Sequence, residues 1–226
     1  MNRVTVIDDS VPVRSALISV SDKSGLDELV LGLSDICPGI KIYSTGGTYS
    51  AVEAAIAGHN LHEDIELIAI PAYTGQPEMQ GGLVKTLDFK IYLGLLSETY
   101  NDSHRMDHIR TGAEVFDLTV VNLYPFQETI ARPDCSLEDA RANIDIGGPT
   151  MIRASAKNYL RVAAVCRPAE YPDLLNHLRN NRGATNLEYR FQLAKTAFAH
   201  TAEYESAISN YLNAASVDSD QYQFKH

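Results

Sequence analysis

The sequence predicts an α/β protein in which a mostly parallel sheet is covered by helices on both faces. Three observations predict it. Short apolar, β-branched runs recur along the chain, the clearest at residues 116–123. Between them lie stretches with apolar residues at helical spacing, and strands that alternate with helices pair in parallel. The chain has 226 residues, 45% of them hydrophobic, enough to bury a core without staples. The right-handed crossover rule then restricts the topology to a doubly wound layer.

Residues 1–14 read as a loose leader. Residues 16–20 form a buried strand, followed by the turn Ser21-Asp22-Lys23-Ser24-Gly25. Leu26, Leu29, Val30 and Leu33 mark a helix, with Ser24 and Asp27 placed as a capping box. A second strand at 41–43 ends in Ser44-Thr45-Gly46-Gly47-Thr48, and a helix runs from Thr48 to Ala57 with Gly58 as its stop. Residues 67–70 form a third strand; 71–82, rich in Pro, Gly and Tyr, follow neither period. The apolar stretch 83–96 is open between helix and strand, and 102–111 is a polar helix ending at Gly112. Beyond the strand at 116–123, Ser136 with Asp139 starts another helix and Pro149 opens one that runs to Asn158. Residues 161–165 are a strand and 171–179 a helix. Leu187, Phe191, Ala194, Phe198, Thr201, Ile208 and Leu212 trace the apolar face of a long helix or two joined ones. The polar residues 214–226 are expected to be a disordered tail.

Composition narrows the function. A net charge of −10 opposes general nucleic-acid binding, which needs a basic face. It does not oppose a small phosphorylated ligand, which needs one or two lysines and well-aimed backbone N–H groups. No apolar run approaches the roughly 20 residues of a bilayer helix. Cys37, Cys135 and Cys166 are odd in number and far apart, so they form no disulfide framework and read as core fillers. Reduced thiols and an N-terminus without an export signal point to the cytoplasm.

In an open parallel sheet, loops beyond the carboxyl ends of the strands meet at one crevice. Several such loops carry small residues and rare cations. Gly46-Gly47 at a helix start lets backbone approach an anion, and Lys23 follows the neighbouring strand. Alone, each is a plain turn and a solvated lysine; together they suggest a phosphate site. Asn122-Leu123-Tyr124-Pro125-Phe126 follows the strongest strand, and Tyr124 there either packs or donates a hydrogen bond to developing charge. Asp145 precedes Gly147-Gly148-Pro149, either capping the helix or presenting a carboxylate beside N–H donors. Lys157 falls one turn beyond Arg153, as a surface pair or as part of a basic site. Lys85-Thr86 lacks the glycine spacing of a P-loop, so ATP hydrolysis is rejected. His104 and His108 stand four apart on a polar helix without a third ligand, so no metal is expected.

The motifs taken together carry a resemblance. Ser19 to Gly25, Ser44 to Thr48, Tyr73 to Met79, Val84 to Leu87, Val121 to Phe126, Ile144 to Met151, Arg153 to Asn158 and Lys195 to Ala202 occur in that order. This series closely resembles the N-terminal domain of the bifunctional AICAR transformylase/IMP cyclohydrolase family, over residues 15–213. The resemblance implies a methylglyoxal synthase-like three-layer sandwich with a mostly parallel central sheet and a C-terminal helical extension. It implies closure of the purine ring, formyl-AICAR losing water to give IMP, without a cofactor. It further implies a stand-alone cyclohydrolase fed by a separate AICAR-formylating enzyme, and a homodimer, with neither nucleic acid nor membrane as partner.

By the same resemblance Lys23, Thr45, Gly46, Gly47, Thr48 and Thr86 hold the ribose phosphate, with Ser19 nearby. Asn122, Ile146, Gly147 and Gly148 complete the substrate site, while Lys85, Tyr124, Asp145 and Lys157 surround the reacting ring. Asp145 is expected to act as base or proton relay with Lys157 as its electrostatic partner; Lys85 and Tyr124 stabilise charge on oxygen.

The loop after residue 82 departs from the family pattern. Where members read Arg, His, Pro and His, this chain has Leu83, Asp88, Phe89 and Tyr92. Leu83 cannot neutralise phosphate and Asp88 adds negative charge, which leaves three alternatives: weaker binding, a site rebuilt by another cation such as Arg105 or Arg110, or a drift in substrate. A purine-nucleotide-binding or regulatory module of the same fold is therefore the alternative. Methylglyoxal synthase itself is a weaker third possibility, since its aspartate and histidine set is not found.

Overall fold

The computed structural model describes residues 3–76 and 85–217. Five parallel strands form the central sheet: β2 (Ser15–Ser19), β3 (Ile40–Ser44), β4 (Ile65–Ala69), β5 (Leu118–Val121) and β6 (Ala163–Val165). Their order is β4-β3-β2-β5-β6, so the chain adds strands to one side of β2 and then crosses to the other. Two-residue strands β1 (Val11–Pro12) and β7 (Ala184–Thr185) pair antiparallel beside this sheet.

Strand alternation explains the two cores. Ala16, Ile18, Ile40, Ile42, Leu118, Val120, Ala163 and Val165 face one side. There they meet α1 (Leu26–Ile36), α2 (Gly46–His59) and α9 (Tyr171–Asn180). Leu17, Tyr43, Val121 and Ala164 face the other side. They pack there with α4 (Phe89–Leu96), α8 (Gly147–Lys157) and α10 (Leu187–Ala214). The result is the expected three-layer sandwich. Residues 83–96 resolve, from Phe89 on, into helix α4, whose N-cap is Asp88 accepting from Lys90 N at 2.8 Å. That gives the departure at Asp88 a local structural role. Leu83 lies outside the described residues.

Several boundaries differ. The irregular stretch expected from Pro71 opens in helix α3 (Ile70–Thr74), and α5 (Asp102–Thr111) ends at Gly112 as expected. Helix α1 is entered through Gly25 in a left-handed conformation, and Ser24 Oγ turns to Asp22 Oδ1 at 2.6 Å rather than capping with Asp27. Helix α2 runs through Gly58 to a left-handed Asn60, because Asn tolerates positive φ. Helix α6 (Phe126–Ile130) was not anticipated, whereas the Ser136–Asp139 capping box of α7 (Leu137–Ala142) is present.

The expected loose leader is tied down from Asp8 onward. Arg190 is fully buried, and its guanidinium donates to the carbonyls of Asp8, Asp9, Tyr159, Leu160 and Thr185. This one side chain joins the N-terminal segment, the end of α8 and the start of α10. The buried stripe of α10 is Arg190, Leu193, Ala194, Ala197, Thr201, Tyr204 and Ile208. Phe191, Phe198 and Leu212, expected inside, are exposed, and the first two lie against Lys195 and Arg153. The helix continues to Ala214, and the tail residues 218–226 lie outside the described residues. Among the described residues no helix is long and apolar enough to cross a membrane.

Candidate functional site

A cavity of about 330 Å³ opens beyond the carboxyl ends of β2, β3 and β5, where the strand order reverses. Ser19, Val20, Ser21 and Lys23 line it from the β2–α1 loop, and Thr45, Gly47 and Thr48 from the start of α2. Lys85, Thr86 and Leu87 close another wall; Asn122, Tyr124, Asp145, Gly147 and Gly148 complete it. A larger cavity, about 790 Å³, lies at the opposite end of the strands, beside their amino termini. Two ion pairs lie in it, Arg161 with Asp117 and Lys41 with Glu114 at 3.6 Å.

The first corner is cationic. Gly46 adopts φ +54°, and a β-carbon on it would stand 2.9 Å from Lys85 Nζ; one on Gly47 would stand 3.8 Å from Lys23 Nζ. Two ammonium groups thus hang over the first turn of α2, whose free N–H groups and dipole already favour an anion. Thr48 lines the cavity and also builds this corner: its hydroxyl accepts from Val20 N and donates to Val20 O, both at 3.0 Å. Asn122 likewise spends its carboxamide on the loop. Its Oδ1 accepts from Ser21 N (2.6 Å) and Asp22 N (3.0 Å), and its Nδ2 donates to Asp22 O (2.7 Å).

The second corner is acidic. Asp145 Oδ1 accepts from Gly148 N at 2.9 Å, and a β-carbon on Gly148 would stand 2.5 Å from Asp145 Oδ2. Burial pushes this carboxyl above the usual range, and backbone N–H groups of Gly148, Tyr124 and Gly147 offset only part of the rise. Burial and then the Asp145 charge push the Tyr124 phenol up as well. Tyr124 is therefore a neutral donor next to a raised carboxyl, with Thr86 Oγ1 across from Gly147. Helix α8 starts at Gly147, so Pro149 is its third residue rather than its first. Its missing N–H costs nothing there.

The structure brings Ser19, Lys23, Thr45, Gly46, Gly47, Thr48, Lys85, Thr86, Asn122, Tyr124, Asp145, Ile146, Gly147 and Gly148 to this region. It does not bring Lys157. That residue ends α8, ten residues after Gly147, which at 1.5 Å per residue is about 15 Å along the axis. Lys157 is exposed there, so within one chain it is no electrostatic partner of Asp145. Arg105 and Arg110 do not rebuild the cation lost at Leu83; they pair with Asp102 and Asp107 on exposed α5. His104 Nδ1 lies 3.0 Å from Glu98 N and His108 Nδ1 2.8 Å from Ala113 O, so both histidines serve local turns. The sequence reading gave no role to Ala142, Ile144 and Met151, apolar members of the wall; the last two bound a motif already singled out, and Ala142 carries no local signal.

Residues 26–150 match the family model described as MGS-like domain, and residues 155–226 match that of the AICARFT/IMPCHase bienzyme. Among solved structures, one titled "Crystal structure of ForH" is similar at 29% identity and TM-score 0.70, covering 87% of this chain and 97% of the other.

Proposed function

Because the chain belongs to the MGS-like domain family, we propose that it closes the six-membered ring of a purine ribonucleotide, converting formyl-AICAR to IMP as an IMP cyclohydrolase. The observation that carries this reading is the placement of a half-buried, raised carboxyl, Asp145, in one cavity with the two ammonium groups over Gly46 and Gly47. A match to the AICARFT/IMPCHase model over 155–226 supports it.

In this reading Lys23, Lys85 and the N–H groups of α2 hold the phosphate. The ribose and base then extend toward α8. The carboxamide nitrogen attacks the formyl carbon, forming a C–N bond and a carbinolamine. The formyl oxygen leaves as water, carrying one proton from each of the two nitrogens that flank the new ring carbon. No electron is gained or lost. Holding two arms of one molecule in contact supplies much of the acceleration. Asp145 accepts the proton from nitrogen; the Tyr124 phenol, kept neutral, donates to the developing oxyanion and to the departing hydroxyl, with Lys85 adding positive charge. A homodimer, a cytoplasmic location and a formyl-transferring enzyme that supplies the substrate belong to the same proposal.

The exposed position of Lys157 favours a second reading, a nucleotide-binding module without turnover. Purified protein mixed with formyl-AICAR decides between them by purine absorbance. Turnover above the uncatalysed rate supports the enzyme; tight IMP binding with no turnover supports the module.

A further inference from the structure

We propose that Tyr204, on the C-terminal helix α10, is a positioning residue that fixes the Asp145 carboxylate in the cavity. The inference rests on the ring-closing reading for its kinetic consequence, though not for its geometry. The Tyr204 hydroxyl accepts from Asp145 N at 2.8 Å and donates to Asn143 O at 3.4 Å. One phenol therefore pins both ends of the turn that presents Asp145, while Gly148 N holds the carboxylate itself at 2.9 Å. Tyr204 cannot drift. Its side chain is 8% exposed and its ring meets Phe126 edge-on at 6.2 Å. Burial, augmented by the Asp145 charge, pushes its phenol up to about 12, so it remains a neutral hydroxyl at working pH.

The arrangement links two parts of the chain. Asp145 lies in the stretch that matches the MGS-like domain, and Tyr204 in the stretch that matches the bienzyme model. The helical extension is then part of the site, acting through the backbone of residues 143–145 without lining the cavity. The charged and titratable groups facing Asp145 are Tyr124 from the β5–α6 loop, Tyr92 from α4, Lys85 across the cavity, and Tyr204. Of these, Tyr204 bonds its backbone N–H. Loosening that bond lets water reach a carboxylate whose high pKa comes chiefly from burial, so the group should titrate lower.

Tyr204→Phe tests this. The protein is labelled with ¹³C at aspartate Cγ, and Asp145→Asn assigns the resonance. The titration midpoint of Asp145 in Tyr204→Phe is expected to fall toward the ordinary value of about 3.9. Turnover of formyl-AICAR should drop about 10- to 100-fold in kcat, with KM little changed, as for a misplaced catalytic group. Tyr211→Phe, whose ring meets the same Phe126 at 5.9 Å, should change neither. An unmoved Asp145 midpoint with unchanged kcat overturns the proposal. If wild-type protein turns nothing over, the ring-closing reading fails, and the carboxylate titration alone still decides this one. Should Tyr204→Phe not fold, hydrogen exchange of the wild-type Asp145 amide decides instead: protection supports the bond, and exchange at the free-peptide rate overturns it.

Discussion

The ammonium nitrogen of Lys85 lies over Gly46, so close that a β-carbon on that glycine would stand 2.9 Å from it. Gly46 also holds φ +54°, a conformation that costs a side chain about 1–2 kcal/mol. Gly46→Ala should therefore leave the fold intact and push the ammonium off the start of α2. A charged hydrogen bond contributes about 1.5–3 kcal/mol, so IMP should bind about 10- to 100-fold more weakly. Inosine, which lacks the phosphate, should bind as to wild type. Calorimetry with both ligands checks this, and an equal loss for the two would remove the phosphate from this corner.

Asp145→Asn keeps the shape of the side chain and removes its basicity. Loss of a general base costs about 10²- to 10⁴-fold, so ring closure should fall by that factor while IMP binding persists. Gly148→Ala should produce a similar loss by another route, because its methyl carbon would come within 2.5 Å of Asp145 Oδ2 and 2.7 Å of Leu123 Cδ2. Asp145→Asn turning over at the wild-type rate would take Asp145 out of the mechanism.

The pH profile should report the same carboxyl. Asp145 must be ionised to accept a proton, and burial holds its pKa above the ordinary value. Activity should then fall as pH drops through a midpoint higher than about 3.9. Tyr124 is raised too and must stay protonated to donate, so it imposes no alkaline limb below about pH 10. Measuring kcat/KM across pH checks both limbs; a loss of activity centred near neutral pH on the alkaline side would contradict the role of Tyr124.

Much of this site was legible because its loops follow strands whose alternation is plain: Ile18 and Ser19 announce the loop that carries Lys23, and Val120 and Val121 the one that carries Tyr124. What was not legible depends on distance along a helix and on burial of polar groups. Lys157 belongs to the motif that follows the one with Asp145, yet α8 carries it to the far end. On α10 an apolar count picks Phe191 and Phe198, while the buried positions include Arg190 and Tyr204, whose partners lie in remote segments. No local pattern marks such residues, since their donors are satisfied only when the chain has folded. Thr48 and Asn122 sit at the cavity and also bond to its loops, a bracing role that their motifs do not announce.

At the amino ends of the strands, Arg161 pairs with Asp117, which is 4% exposed and also accepts from Arg14 N at 2.9 Å and Ser15 N at 3.1 Å. Even with these partners, burial raises the Asp117 carboxyl above its usual range. Arg161→Leu leaves that carboxylate buried beside a leucine, and breaking such a pair costs about 3–5 kcal/mol at neutral pH. The sign follows from linkage. With Arg161 gone the folded pKa of Asp117 rises further, so the cost is present above that pKa and fades as pH falls through it toward the unfolded value of about 3.9. The difference in Tm between wild type and Arg161→Leu should accordingly widen from about pH 4 to about pH 8. Adding Asp117→Asn to the variant should flatten that dependence, because no buried charge then remains to be stranded. A gap that stays constant with pH in Arg161→Leu alone would assign the loss to packing by the arginine stem instead.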